Sequence, residues 1–163
     1  MRRVCSHGLW SFWLIVPVMA GLWVFQAQAA GPELSRGQTV YVPVYSHIFY
    51  GDRARTFDLS VTLSIRNIDK KDSIQITQVG YYDETGQHIR DLVKKPVELK
   101  PWGSTRFFIK ESDVTGGAEA FFVLVWQADS PVNPPVIQGV MIGARGQQGV
   151  SFLTHGTVLA EKK

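Results

Sequence analysis

Between Phe57 and Asn67 the chain reads FDLSVTLSIRN, and its apolar residues occupy every second position. Leu59, Val61, Leu63 and Ile65 share one face; Ser60, Thr62, Ser64 and Arg66 share the other. A period of two belongs to a strand with one buried and one wet face. β-branched side chains suit such a pleated surface. Wound into a helix, the same apolar residues would scatter around its circumference instead of forming a stripe.

The pattern recurs along the chain. Strands are predicted over Thr39–Ser46, Ser73–Asp83, His88–Val93, Ser104–Lys110, Ala120–Gln127, Pro135–Gly143 and Val150–Leu159. AFFVLVWQ, Ala120–Gln127, is apolar on both faces and is expected to be a central strand covered on both sides. Turn signals return roughly every 8 to 12 residues, as in sandwiches and small barrels. The expected fold is an all-β, immunoglobulin-like antiparallel β-sandwich of about seven to nine strands. The Cys…Trp…Cys signature of antibody domains is absent, so the likeness is architectural.

The first 29 residues follow a different logic. Arg2 and Arg3 precede an apolar run, Leu9–Phe25, which ends at Ala27-Gln28-Ala29. This is the layout of a secretory signal peptide cleaved after Ala29. The rival reading is a retained N-terminal membrane anchor, because the run is near the lower length limit for a span. The expected organisation is residues 1–29 as signal peptide, 30–38 as a short flexible lead, 39–159 as one sandwich domain and 160–163 as a tail. Export places the protein in the periplasm or outside the cell, with membrane contact only if the apolar run is retained.

Cys5 is the only cysteine and precedes the apolar run, so the exported part has no disulfide, thiolate nucleophile or cysteine-metal site. Of 17 Lys and Arg, Arg2 and Arg3 leave with the leader; the remaining 15 nearly balance 14 acidic residues. No basic run with interleaved aromatics remains, so nucleic acid is not an expected partner. No GxSxG, HExxH or phosphate-loop pattern occurs, and no cofactor is expected. The exported histidines His47, His88 and His155 lack the close spacing of zinc ligands.

One stretch is chemically mixed: YSHIFYGDRAR, Tyr45–Arg55. Its Tyr45, His47, Tyr50, Asp52, Arg53 and Arg55 form the candidate ligand-binding loop, with rings to stack a sugar and guanidiniums to hold a carboxylate. The competing reading is a connection between sheets pinned by its own aromatics. Asn67–Ser73, NIDKKDS, reads as a solvated hairpin tip, and the glycine-rich TGGAE and GARGQQG read as flexible hairpin loops. Trp102 and Trp126 are expected to be structural, Trp126 packed between the sheets and Trp102, on the proline bend, over the edge of the core.

Four motifs in order carry a family resemblance. They are VYVPVYSHIFYGD (Val40–Asp52), TLSIRNIDKKDSIQITQVGYYDETG from Thr62, the paired Gly116-Gly117 before a strand ending in Trp126, and VIQGVMIG (Val136–Gly143). In these the chain resembles the bacterial domain of unknown function 3124 family, DUF3124, over nearly all of its exported length. It departs after the paired glycines, reading Ala118-Glu119-Ala120-Phe121-Phe122 where relatives tend to read Ser-Gly-Ala-Asn-Phe. The resemblance implies an exported bacterial protein and carries over no catalytic residues. The expected role is a non-catalytic binding or accessory module of the cell envelope, its partner another envelope protein or a glycan. The alternatives are an enzyme with a carboxylate/His site assembled from loops, and a membrane-anchored accessory module.

Overall fold

The computed structural model describes residues 33–162. The signal peptide, its cleavage after Ala29 and the alternative anchor lie outside the described residues. Those residues form an antiparallel β-sandwich with no helix, in agreement with the alternation. The strands are β1 (Ser35–Pro43), β2 (His47–Tyr50), β3 (Arg55–Asp58), β4 (Ser60–Arg66), β5 (Ile74–Tyr82), β6 (His88–Asp91), β7 (Val97–Leu99), β8 (Ser104–Ile109), β9 (Phe121–Val132), β10 (Val136–Arg145), β11 (Gln148–His155) and β12 (Thr157–Lys162). Twelve strands exceed the seven to nine expected, because β2, β3 and β7 are only three or four residues long and Val150–Leu159, read as one strand, divides at Gly156 into β11 and β12.

One sheet runs β12-β1-β9-β5-β6, with β7 also pairing β5; the other runs β11-β10-β4-β8; β2 and β3 make a separate hairpin. β6 pairs with Gly80–Tyr82 and β7 with Ile74–Ile76, so two short strands share one edge of β5. β9 is central, between β1 and β5, as its apolar run predicts. Its inner residues Phe122, Leu124 and Trp126 are buried, while its outer Phe121, Val123 and Val125 are only half-buried, with no second layer over them among the described residues, so the expected cover on both sides is not seen there.

Both sheets feed one core. Val40, Val42, Val79, Tyr81, Leu124 and Trp126 meet Val61, Leu63, Ile65, Ile109 and Met141, all nearly inaccessible to water. The alternation in β4 is thus the alternation of core and solvent, and its burial follows residue by residue.

Two boundaries differ from expectation. Ser35–Gln38, placed in the flexible lead, belong to β1, and Ala160–Lys162, placed in the tail, belong to β12; the two stretches pair with each other. Backbone ladders form regardless of side-chain polarity, so polar ends of strands read as tails. Asn67–Ser73 is a larger correction. It is a crossover from β4 in one sheet to β5 in the other, not a hairpin tip. Asn67 Nδ2 donates to the carbonyls of Asp72, Leu99 and Lys100 at 2.9, 3.1 and 3.2 Å, and its Oδ1 accepts from Asp69 N at 2.9 Å. Asp69 Oδ1 accepts from the backbone of Lys71 and Asp72, and its Oδ2 from Asn133 N and Nδ2 at 3.0 Å. Asn67 and Asp69 are buried, whereas Lys70 and Lys71 remain exposed. The charged cluster is a structural lock that joins the crossover to the β7–β8 and β9–β10 turns.

TGGAE is also pinned, on the crossover from β8 to β9. Gly116 lies so close to the Tyr81 hydroxyl and Ala120 that no side chain fits. Gly117 takes φ +73° beside the Glu84 carboxylate, which accepts from Ala118 N at 2.9 Å. The GARGQQG stretch does form the β10–β11 hairpin, but only Gly146-Gln147 make its turn; the rest, expected to be loop, is strand.

Candidate functional site

The β2–β3 hairpin carries most of the mixed stretch. Its base is fixed: Phe57 is buried against Gly143, Leu59 N donates to Ser46 O at 2.8 Å, and Ser46 Oγ hydrogen-bonds Tyr81 Oη at 3.1 Å. Burial pushes the Tyr81 phenol above its ordinary pKa, so that hydrogen bond is held by neutral hydroxyls. The Arg145 guanidinium lies over the Phe57 ring, 5.6 Å from its centroid.

The tip is exposed. Gly51 (φ +66°) and Ala54 (φ +46°) turn the chain, and Ala54 N donates to Gly51 O at 3.1 Å. A positive φ at a residue with a Cβ is uncommon. Tyr50 is half-exposed and sets its edge toward Phe57, 6.2 Å between centroids. Tyr50, Asp52, Arg53 and Arg55 line a shallow concavity of about 230 Å³.

The structure brings these four together and separates the other two candidates from them. His47 lies at the hairpin base, across from Asp58, with its ring edge-on to Phe49 at 5.3 Å. Tyr45 precedes β2 and packs toward Phe152, 5.7 Å between centroids. Tyr45 instead shares a small cleft of about 170 Å³ with Tyr41, Pro43 and Glu119. Burial is also the main cause of a raised Tyr41 pKa there.

Other polar groups have structural partners. Asp83 Oδ1 accepts from Thr85 N, Thr85 Oγ1 and Gln87 N, which shapes the β5–β6 turn with Gly86 at φ +85°. Asp113 is pushed up by burial but pulled down further by Thr115 and by Arg90, whose Nη2 stands 2.5 Å from it. The same Arg90 guanidinium lies 5.2 Å from the Tyr81 ring centroid. His88 contacts Asp91 at 3.2 Å. Among the described residues no group of three His, Cys, Asp or Glu could hold a metal ion.

A row of rings crosses the outer face of the larger sheet. Tyr41 and Phe121 are 4.9 Å apart, Phe121 and Tyr82 stack at 5.1 Å, and His88 meets Tyr82 edge-on at 5.1 Å. These are cross-strand pairs of the kind that stabilise sheets. Trp126 is buried, as expected, but Trp102 is not a cover for the core: it is 64% exposed, at φ +61°.

Fold and surface together define an antiparallel β-sandwich that displays an arginine-bearing hairpin on a fixed base. The chain belongs to the family described as protein of unknown function (DUF3124), whose model matches residues 37–159. No curated protein matches it. A solved structure titled "Crystal Structure of Thermotoga maritima 1070" is 14% identical, covering 76% of this chain and 93% of that one at a TM-score of 0.44.

Proposed function

We propose that this chain is an exported bacterial binding module of the cell envelope, and that it acts by recognition instead of catalysis. The observation that carries this reading is the β2–β3 tip. There Tyr50, Asp52, Arg53 and Arg55 sit together on an exposed turn whose base is locked into the core. A rigid base with polar, aromatic chemistry at its tip suits contact with a partner. Arginine and tyrosine are also the residues that most often dominate such contacts. The enzyme alternative needs His47 and Asp52 in one pocket; they stand at opposite ends of the hairpin.

The test is retention of envelope material by the immobilised full chain, compared with Tyr50→Ala and with Arg53→Ala/Arg55→Ala. Loss of one protein or glycan species in both variants, at unchanged melting temperature, is the expected result. Retention that ignores both changes would refute a role for the tip. Mass spectrometry of the N-terminus in the native cell checks export: a start at Ala30 is expected, and a start at Met1 would replace secretion with anchoring.

A further inference from the structure

The outer face of the smaller sheet has an unusual charge pattern. No Asp or Glu occurs anywhere in β4, β8, β10 or β11, although the chain has 14 acidic residues. The register places Arg66 opposite Ser104, and Ser64 opposite Arg106. Two arginines therefore occupy one diagonal of a square, and two serines the other. Diagonal neighbours on adjacent strands are about 7 to 8 Å apart. Gln138 flanks Ser64 on the other side, and His155 continues that row. Both arginines are exposed, and among the described residues neither guanidinium has a hydrogen-bond or ion-pair partner.

The square lies in a shallow open groove of about 320 Å³, lined by Thr62, Ser64, Arg66, Ser104 and Arg106 among others. Trp102 adds a second, independent sign. The Gly103 carbonyl accepts from Asn67 N at 2.9 Å, which holds the Trp102 turn beside the Arg66 end of the groove. A tryptophan held at positive φ with most of its ring in water buries little surface to offset its backbone strain. Such strain clusters at sites of function.

We propose that this face binds an acidic polysaccharide, through carboxylates of sugar-acid residues. Arg66 and Arg106 take the carboxylates, since a guanidinium fork matches a carboxylate in two parallel hydrogen bonds. Ser64, Ser104, Thr62 and Gln138 supply the donors and acceptors that sugar hydroxyls need. Trp102 gives an apolar surface for a sugar ring. The groove lies on the outer face of the sheet beside its edge strand β8, which leaves a polymer access to it. The assignment does not rest on the hairpin reading, because the two surfaces share no residue.

The test is calorimetric titration of the purified full chain with polygalacturonate, beside neutral dextran, polyglutamate and polyphosphate. Binding of polygalacturonate is expected, weakened about tenfold by Arg66→Ala or Arg106→Ala, abolished in the double variant, and reduced by added salt. Lys94→Ala/Lys95→Ala, away from both surfaces, should leave it intact, and the exposed substitutions should leave the melting temperature unchanged. The proposal is overturned if polygalacturonate does not bind, if the double variant binds it as well as the native chain, or if dextran binds equally. Equal or tighter binding of polyglutamate would make an acidic protein the partner, and tighter binding of polyphosphate would replace the carboxylate by a phosphoryl group; either result also overturns it.

Discussion

Trp126 separates two contributions that are usually entangled, ring packing and polar satisfaction. It lies on the inner face of β9, opposite Gln38 of β1 and Ile76 of β5, and is 1% exposed. Its indole Nε1 is buried with no hydrogen-bond partner among the described residues. Trp126→Ala removes the whole ring, and such truncations cost about 3 to 5 kcal/mol. Trp126→Phe keeps most of the packing and deletes the unsatisfied N–H. The smaller ring leaves roughly 40 Å³ unfilled, worth about 1 kcal/mol at about 24 cal/mol per Å³, and the apolar surface it no longer buries costs about 1 kcal/mol more. Against this, relieving a buried unpaired donor returns about 1 to 3 kcal/mol. Trp126→Phe should therefore lie within about 1 kcal/mol of the native chain. Urea unfolding followed by far-UV circular dichroism measures both variants, and equal m values show that the unfolded states are comparable. A Trp126→Phe cost close to that of Trp126→Ala would mean that the N–H is satisfied and the reasoning wrong. A Trp126→Ala cost below about 1 kcal/mol would show that the ring is not part of the core.

Asn67→Ala removes the amide that ties together three carbonyls of the crossover and should cost about 2 to 4 kcal/mol in the same assay. Asp69 is held well below the ordinary carboxylate pKa, first by the Asn133 amide and then by those of Lys71 and Asp72. Its stabilisation is thus fully present above the unfolded value of about 4, and is lost as pH falls below that value toward the folded pKa. Asp69→Asn should flatten the acid side of a melting-temperature profile, and an unchanged acid slope would assign that slope to other carboxylates. Gly116→Ala forces a methyl into Tyr81 and Ala120 and should cost about 1 to 3 kcal/mol, read as a lowered urea midpoint. Trp102→Gly relieves a positive φ and should leave stability unchanged or raise it by up to about 1 kcal/mol, while weakening polygalacturonate binding. A clear loss of stability would show that the ring packs.

The alternation in β4 and the apolar run of β9 were enough to read strands, a two-layer architecture and the members of the core, because burial of every second side chain is a local property of extended chain. The turn at Asp83–Gly86 is local in the same sense: its hydrogen bonds span only a few residues. The lock at Asn67 and Asp69 was not, because its partners, Leu99, Lys100 and Asn133, lie far along the chain, and without them the segment has the composition of a solvated turn. Part of the candidate loop was legible as chemistry, but its division between hairpin tip and base followed from where Phe57 and Ser46 are anchored. The acid-free face was present as four separate segments that nothing local connects. Strand order and register alone set Arg66 and Arg106 on one diagonal, since cross-strand neighbours are chosen by long-range packing of the opposite, apolar face.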